Sequence, residues 1–218
     1  MSKSMLHAQL RRMRAMNFKY HSLFFRQINF WIAINVVLLV ASLLEPLRAA
    51  VLLVPYLVLY AAMQGAFHFH YIIFARRYAR ALEQKLNQLN DDEALIAHKL
   101  EEAYLFPLDA PRFVGVSLGN PLTFFSAITF HYGIAGTLLW ALALYRAWQL
   151  LPQLAPNFAP LNFYFPVTIA WTLANVLYLA WHFIGQRDER RVEQQLAIFL
   201  SEKQNGARPY VYPESDGI

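Results

Sequence analysis

Residues 49–75 read AAVLLVPYLVLYAAMQGAFHFHYIIFA, and no charged side chain falls between Arg48 and Arg76. A helix needs about 20 apolar residues to cross a hydrocarbon core of about 30 Å. Three further windows share this property: 27–44, 113–145 and 147–186 contain no Asp, Glu, Lys or Arg. One such window fits inside a soluble core, but four in a chain of 218 residues do not. The composition agrees. Apolar residues make up 57% and charged residues 15%, with a mean hydropathy of +0.29, against about a quarter charged in soluble domains. In hydrocarbon each span must satisfy its own backbone polar groups, so each should be helical. The fold class is therefore an all-α integral membrane protein with four transmembrane helices in two hairpins, carrying cytoplasmic helical extensions.

Turn residues trim the windows. Gly115, Gly119 and Asn120 suit a loop, and Asn120-Pro121 reads as a helix start. Pro152, Pro156, Pro160 and Pro166 break the long fourth window. The expected organisation is a basic amphipathic arm over 1–27 and a first hairpin over 28–75, with spans at about 28–44 and 49–75 and a kink at Pro55. Cytoplasmic helices and a loop follow over 76–120. A second hairpin covers 121–186, with spans at about 121–145 and 165–186. A cytoplasmic helix and tail cover 187–218.

Orientation follows from Lys and Arg. The arm, the 76–112 segment and the tail hold 17 of the 19 basic residues, leaving Arg48 and Arg146 on the other side. The positive-inside rule places both termini in the cytoplasm. The basic region before the first span is too long for a cleavable signal peptide. A bacterial-type inner membrane is the expected location.

The arm sets Leu6, Leu10, Met13, Tyr20 and Phe24 at helical spacing, with Arg11, Arg12, Arg14 and Lys19 beside them. This pattern suits a helix lying on an anionic leaflet; packing on the protein's own cytoplasmic parts is the other reading. Nucleic acid is not an expected partner, because the basic residues are spread as topology requires. The second span should run on unbroken through 76–89, with Tyr78, Leu82, Leu86 and Leu89 as a stripe. Asn90 and Glu93 resemble a capping box for a further helix over about 91–106. The fourth span should likewise run on into 187–204. RYARALEQKL (77–86) and RDERRVEQQL (187–196) agree at five of ten positions, which suggests a parallel repeat of hairpin plus stalk.

No ionisable carboxylate or strong base lies within a span, which counts against carboxylate-coupled transport and voltage sensing. The polar set at membrane depth includes Asn35, Gln64, His68, His70, His131, Asn175 and His182. His68 and His70 lie about 200° apart around their helix and cannot ligate one metal together. Candidate pore or polar-stripe residues are Gln64, His68, His131, Asn175 and His182. Hydrogen bonding between helices accounts for the same residues equally well. Thr129, Gly133 and Thr137 sit at four-residue spacing and suit close helix packing, within the chain or between subunits.

Phosphate-binding glycine loops, GxSxG and HExxH motifs are absent, and so is Cys. The function this implies is non-enzymatic: an oligomeric, channel-like or signalling membrane component without a cofactor, contacting the lipid bilayer, copies of itself and a cytoplasmic or membrane protein partner. A His-liganded metal or haem redox protein, using His131 with His182 or His68, is the first alternative. A membrane anchor or accessory subunit is the second.

Overall fold

A computed structural model describes residues 2–91, 93–109, 112–114, 116–117, 123–154, 160–185 and 187–201. Among these the chain is almost entirely helical: α1 (Lys3–Ala41), a 3-10 stretch (Glu45–Leu53), α2 (Val54–Asn90), α3 (Ala97–Tyr104), α4 (Phe124–Leu154), α5 (Pro160–Gly185) and α6 (Arg187–Ser201). The exception is a two-stranded antiparallel ladder, β1 (Arg112–Phe113) with β2 (Val116–Ser117), which pairs Phe113 with Val116. Four helical stretches are long and apolar enough to cross a membrane.

Burial runs opposite to that of a water-soluble domain. Only 11% of the most apolar window of α1 is buried, and 17% of that of α4. Val36, Val37, Val40, Leu138, Leu142, Leu173 and Leu177 all lie open. A soluble monomer rarely exposes apolar patches on this scale.

Local chemistry sets the helix ends. Ser2 caps α1 by accepting from the Met5 amide at 3.4 Å. Ser42 closes it, its hydroxyl donating to the Leu39 carbonyl at 2.6 Å. The arm and the first span are thus one helix of 39 residues. Pro55, expected as a kink inside the span, lies in the first turn of α2, where the N–H it lacks would be unpaired anyway. The second helical stretch begins as a 3-10 helix at Glu45, ahead of the expected Ala49, and becomes α-helical at Val54. At the other end Asp91, at φ 52°, terminates α2. Asn87 then pins the returning chain, donating to the Leu95 carbonyl at 2.9 Å and accepting from its amide at 3.0 Å. The expected capping-box start at Asn90 does not form, since Asn90 ends α2 and α3 begins only at Ala97.

Pro152, expected to break the helix, and Pro166, expected in the first turn of the fourth span, both lie inside helices. Pro152 lies near the end of α4 and Pro166 in the early part of α5. Near a helix end a proline removes one terminal hydrogen bond without splitting the helix. Asn120, Pro121 and Pro156 fall outside the described residues, as do Gln186 and the tail beyond Ser201.

The two halves run parallel. Tyr164 donates to the Leu52 carbonyl at 2.9 Å, Tyr56 bonds Thr168 at 2.9 Å, and Arg77 reaches Glu189 at 2.7 Å. Each pair is 112 positions apart, and His70 faces His182 at the same offset. A constant offset means that α5 and α6 follow α2 in register over the stretch from Leu52 to Arg77, about 37 Å. Likewise α1 lies beside α4, with Phe24 stacked on Phe125 and Tyr132 donating to Asn29. The second hairpin does not repeat the first, however, because α4 and α5 scarcely touch where α1 and α2 pack along their length.

Candidate functional site

One end of the bundle is a layer of ion pairs. The α2 residues Arg76, Arg77 and Arg80 project into it at helical spacing. Arg76 is 1% exposed and donates to the Phe106 carbonyl at 3.1 Å, its guanidinium lying 4.3 Å from the Phe106 ring centre. Arg77 donates to the Leu108 carbonyl at 2.8 Å and pairs with Glu189 and Glu193 of α6. Arg80 holds Glu102 at 3.1 Å and Asp109 at 2.9 Å. Burial disfavours the Arg80 charge, but the hydrogen bond and charge of Asp109 hold its pKa above the ordinary value.

Glu83, with 0% exposure, is the centre of this layer. It accepts from Arg14 of α1, from the His98 amide at 3.0 Å and from His98 Nδ1 at 2.9 Å. A buried carboxylate persists only when paired and hydrogen-bonded. Here α1, α2 and α3 each supply part of that set. Burial, with the nearby cations Arg80, Lys99 and Arg14, holds the His98 pKa below its ordinary 6.5, against the raising effect of Glu102. Facing the Glu83 carboxylate, His98 Nδ1 is the donor. The three basic segments identified in the sequence meet here: the arm through Arg14, the central segment through Arg76–Arg80, and the last helix through Glu189 and Glu193.

The arm accordingly packs on protein. Leu6, Leu10 and Met13 are buried against Ala79, Leu82 and Leu86 of α2. The stripe expected to lie on a lipid leaflet is consumed by the stalk, because Leu82 and Leu86 offer a complementary apolar stripe in the same chain. Arg14 is committed to Glu83 and Glu101. Arg11, Arg12 and Lys19 remain exposed.

The polar residues within the apolar body find partners as follows. Gln64 accepts from Trp31 Nε1 at 2.7 Å, and His68 bonds Gln27, so both turn toward α1. His182 instead meets His70, with ring centres 5.4 Å apart, and stacks on Tyr178. His131 is exposed and bonds the Ala127 carbonyl of its own helix at 2.7 Å. The amide of Asn175 donates to the Trp171 carbonyl at 2.8 Å. Gln64 and His68 thus share the face of α2 turned to α1, and His182 keeps to Tyr178 on α5, while His131 stands apart. Among the described residues no three His, Cys, Asp or Glu side chains converge where a metal ion would bind.

Between α1, α2, α4 and α5 lies a cavity of about 700 Å³. Its wall contains no charged residue. Gly65, Thr129, Gly133, Gly136, Thr137, Thr172 and Asn175 contribute the small and polar positions. The threonines satisfy their hydroxyls on carbonyls one turn back, such as Thr137 on Gly133 at 2.9 Å and Thr172 on Thr168 at 2.7 Å. Of Thr129, Gly133 and Thr137, Thr129 is buried, whereas Gly133 and Thr137 are exposed and Gly133 meets no other helix closely. A Cβ added at Gly133 meets nothing within 4 Å, and one at Gly136 makes ordinary contact with Val58 at 3.7 Å. These small residues widen the cavity. The α4 and α5 helices meet where Trp148 packs on Phe165, with ring centres 5.6 Å apart, and make few contacts elsewhere.

Sequence reasoning singled out neither Glu83 nor His70 as a site residue, and it assigned Asn35, Trp31 and Trp140 no role. Asn35 carried a signal, being an amide within an otherwise apolar span. No protein-family model, curated protein or solved structure matches this chain.

Proposed function

We propose that the chain is an integral protein of a bacterial-type inner membrane, with four spans and both termini in the cytoplasm. It works as an oligomeric signalling component without chemistry of its own. The observation that carries this reading is the continuity of α2. One helix of 37 residues passes from the apolar body into the ion-pair layer, and α5 with α6 follows it in register. A displacement of the body is therefore carried to the layer, where Arg77 and Glu83 link α2 to α6, α1 and α3. Collection of all three basic segments at one end supports the topology, because they then share the cytoplasmic face.

The signalling form is favoured over the channel form by the wall of the cavity. It bears no charge, and its threonines and Asn175 spend hydrogen bonds on their own helices. Exposed apolar faces of α4 and α5 offer the surface for self-association. The test measures ion flux in liposomes and the mass of the protein in detergent. The expected result is an oligomer whose flux equals that of empty liposomes in wild type, Asn175→Leu and His182→Leu alike. Flux that either substitution abolishes would restore the channel form, and a monomer would overturn self-association.

A further inference from the structure

We propose that His70 and His182 bind one divalent metal ion that prefers nitrogen ligands, such as zinc, and that the ion ties α2 to α5 where the apolar body meets the ion-pair layer. The site rests on the packing of the two helices alone; its effect on α6 rests on the signalling reading above.

The two histidines come from different helices and lie against each other, with ring centres 5.4 Å apart and ring planes tilted by 51°. Two imidazoles that share one tetrahedral metal, at bonds of about 2.0–2.1 Å, have their ring centres about 5 Å apart. The observed spacing is that of a shared ion. Both rings are half-buried, so water reaches them, and the outer torsion of a histidine is broad enough to aim a nitrogen. Tyr178 stacks on the face of the His182 ring, which leaves the edge that carries the nitrogens clear of it. Among the described residues no third His, Cys, Asp or Glu joins the pair, so water fills the remaining positions.

The helices hold the pair in place before an ion arrives. Tyr56 bonds Thr168 at 2.9 Å on one side of it, and Arg77 meets Glu189 at 2.7 Å on the other. Both contacts share the offset of the histidine pair, so α2 and α5 cannot slide past each other without breaking them. Ligands fixed in advance lose little freedom on binding. Imidazole suits zinc, copper and nickel, whereas magnesium and calcium take oxygen ligands. The cations of the layer next to the pair, Arg76 and Arg77, are already offset by Glu101, Glu189 and Glu193. His182 lies in the last turn of α5, directly before α6. An ion held there fixes the end of α5 to α2 and steadies the start of α6.

The experiment uses the full chain in detergent, with Zn2+ as probe and Mg2+ as control. Calorimetric titration should give one Zn2+ per chain, and Tm should rise with Zn2+ but not with Mg2+. His70→Gln and His182→Gln should each weaken Zn2+ binding at least about tenfold, while His7→Gln, exposed on the arm, should bind like wild type. Co2+ in wild type should show the intense visible bands of a four-coordinate site, a readout that stands even where a variant fails to fold. Trypsin should cut more slowly at Arg190 and Arg191 once Zn2+ is bound. Wild type that binds Zn2+ no more tightly than Mg2+, Co2+ that stays six-coordinate, or a folded His70→Gln or His182→Gln protein that binds like wild type overturns the site. Zn2+ binding with an unchanged digest overturns the effect on α6 and counts against the signalling reading, not against the site.

Discussion

Replacement of Glu83 by Ala is the most informative perturbation of the ion-pair layer. The carboxylate is fully buried and accepts from Arg14 and from two nitrogens of His98. Removing one partner of a buried pair costs about 3–5 kcal/mol when the other charge is stranded. Arg14 is not stranded: its side chain is 33% exposed, and it keeps Glu101 at 2.8 Å. The loss then falls mainly on the two His98 donors, at about 1–3 kcal/mol for an unsatisfied buried group. A total of about 3 kcal/mol is expected, corresponding to a Tm lowered by roughly 6–12 °C for a chain of this size. The assay is thermal unfolding in detergent, followed by tryptophan fluorescence. Glu45→Ala serves as control, since its pair with Arg48 is surface-exposed, at 83% for the glutamate, and contributes at most about 1 kcal/mol. The double substitution Glu83→Ala with Arg14→Ala tests the coupling and should cost less than the sum of the two single changes. A Glu83→Ala protein that melts with the Glu45→Ala control would refute the assignment of Glu83 as the centre of the layer.

Other expectations rest on single contacts. Leu82→Ala, at 0% exposure between α1 and α2, should destabilise by about 2–5 kcal/mol; Leu142→Ala, 52% exposed, should change the same melt little. Arg77→Ala removes the 2.7 Å ion pair to Glu189, which is 7% exposed, and should loosen α6; limited trypsin digestion would then cut faster at Arg190 and Arg191, whereas an unchanged digest would deny that Arg77 holds α6. Burial holds the His98 pKa below its ordinary 6.5. The unfolded chain therefore takes up the proton first as pH falls, and this contribution to stability is present above about 6.5 and lost below it. Tm should drop between about pH 7 and pH 5, and His98→Gln should flatten the part of that drop above the carboxylate range.

The helices were readable because charge-free length is a one-dimensional property, and long apolar windows have one stable solution in lipid. Their ends were less readable. Pro55, Pro152 and Pro166 carry the same local signal wherever they fall, and only the position of the helix terminus decides whether proline starts, ends or is absorbed by the helix. The arm shows a second limit. Its apolar stripe was visible, but a lipid leaflet and the stripe of Leu82 and Leu86 satisfy it equally until the two helices are seen side by side. The polar residues show a third. Spacing along one helix orders Gln64, His68, Asn175 and His182 by height, yet their partners depend on how each helix is rotated against its neighbour. That rotation turned His68 to Gln27 and brought His70, on the opposite side of the helix, to His182. Glu83 was hidden for a related reason: a glutamate in a charged amphipathic stretch looks solvated until three helices close over it.

The account depends above all on the chain crossing a bilayer four times, with the ion-pair layer in the cytoplasm. The chain contains no Cys, so single cysteines introduced at exposed positions report sidedness without background. Intact cells are treated with a membrane-impermeant maleimide. Cysteines at Glu45 and Gln149 should label at once, and those at Lys3, Lys99 and Glu193 only after permeabilisation. Labelling of Lys99 or Glu193 in intact cells, or of all five positions in a soluble fraction, would contradict it.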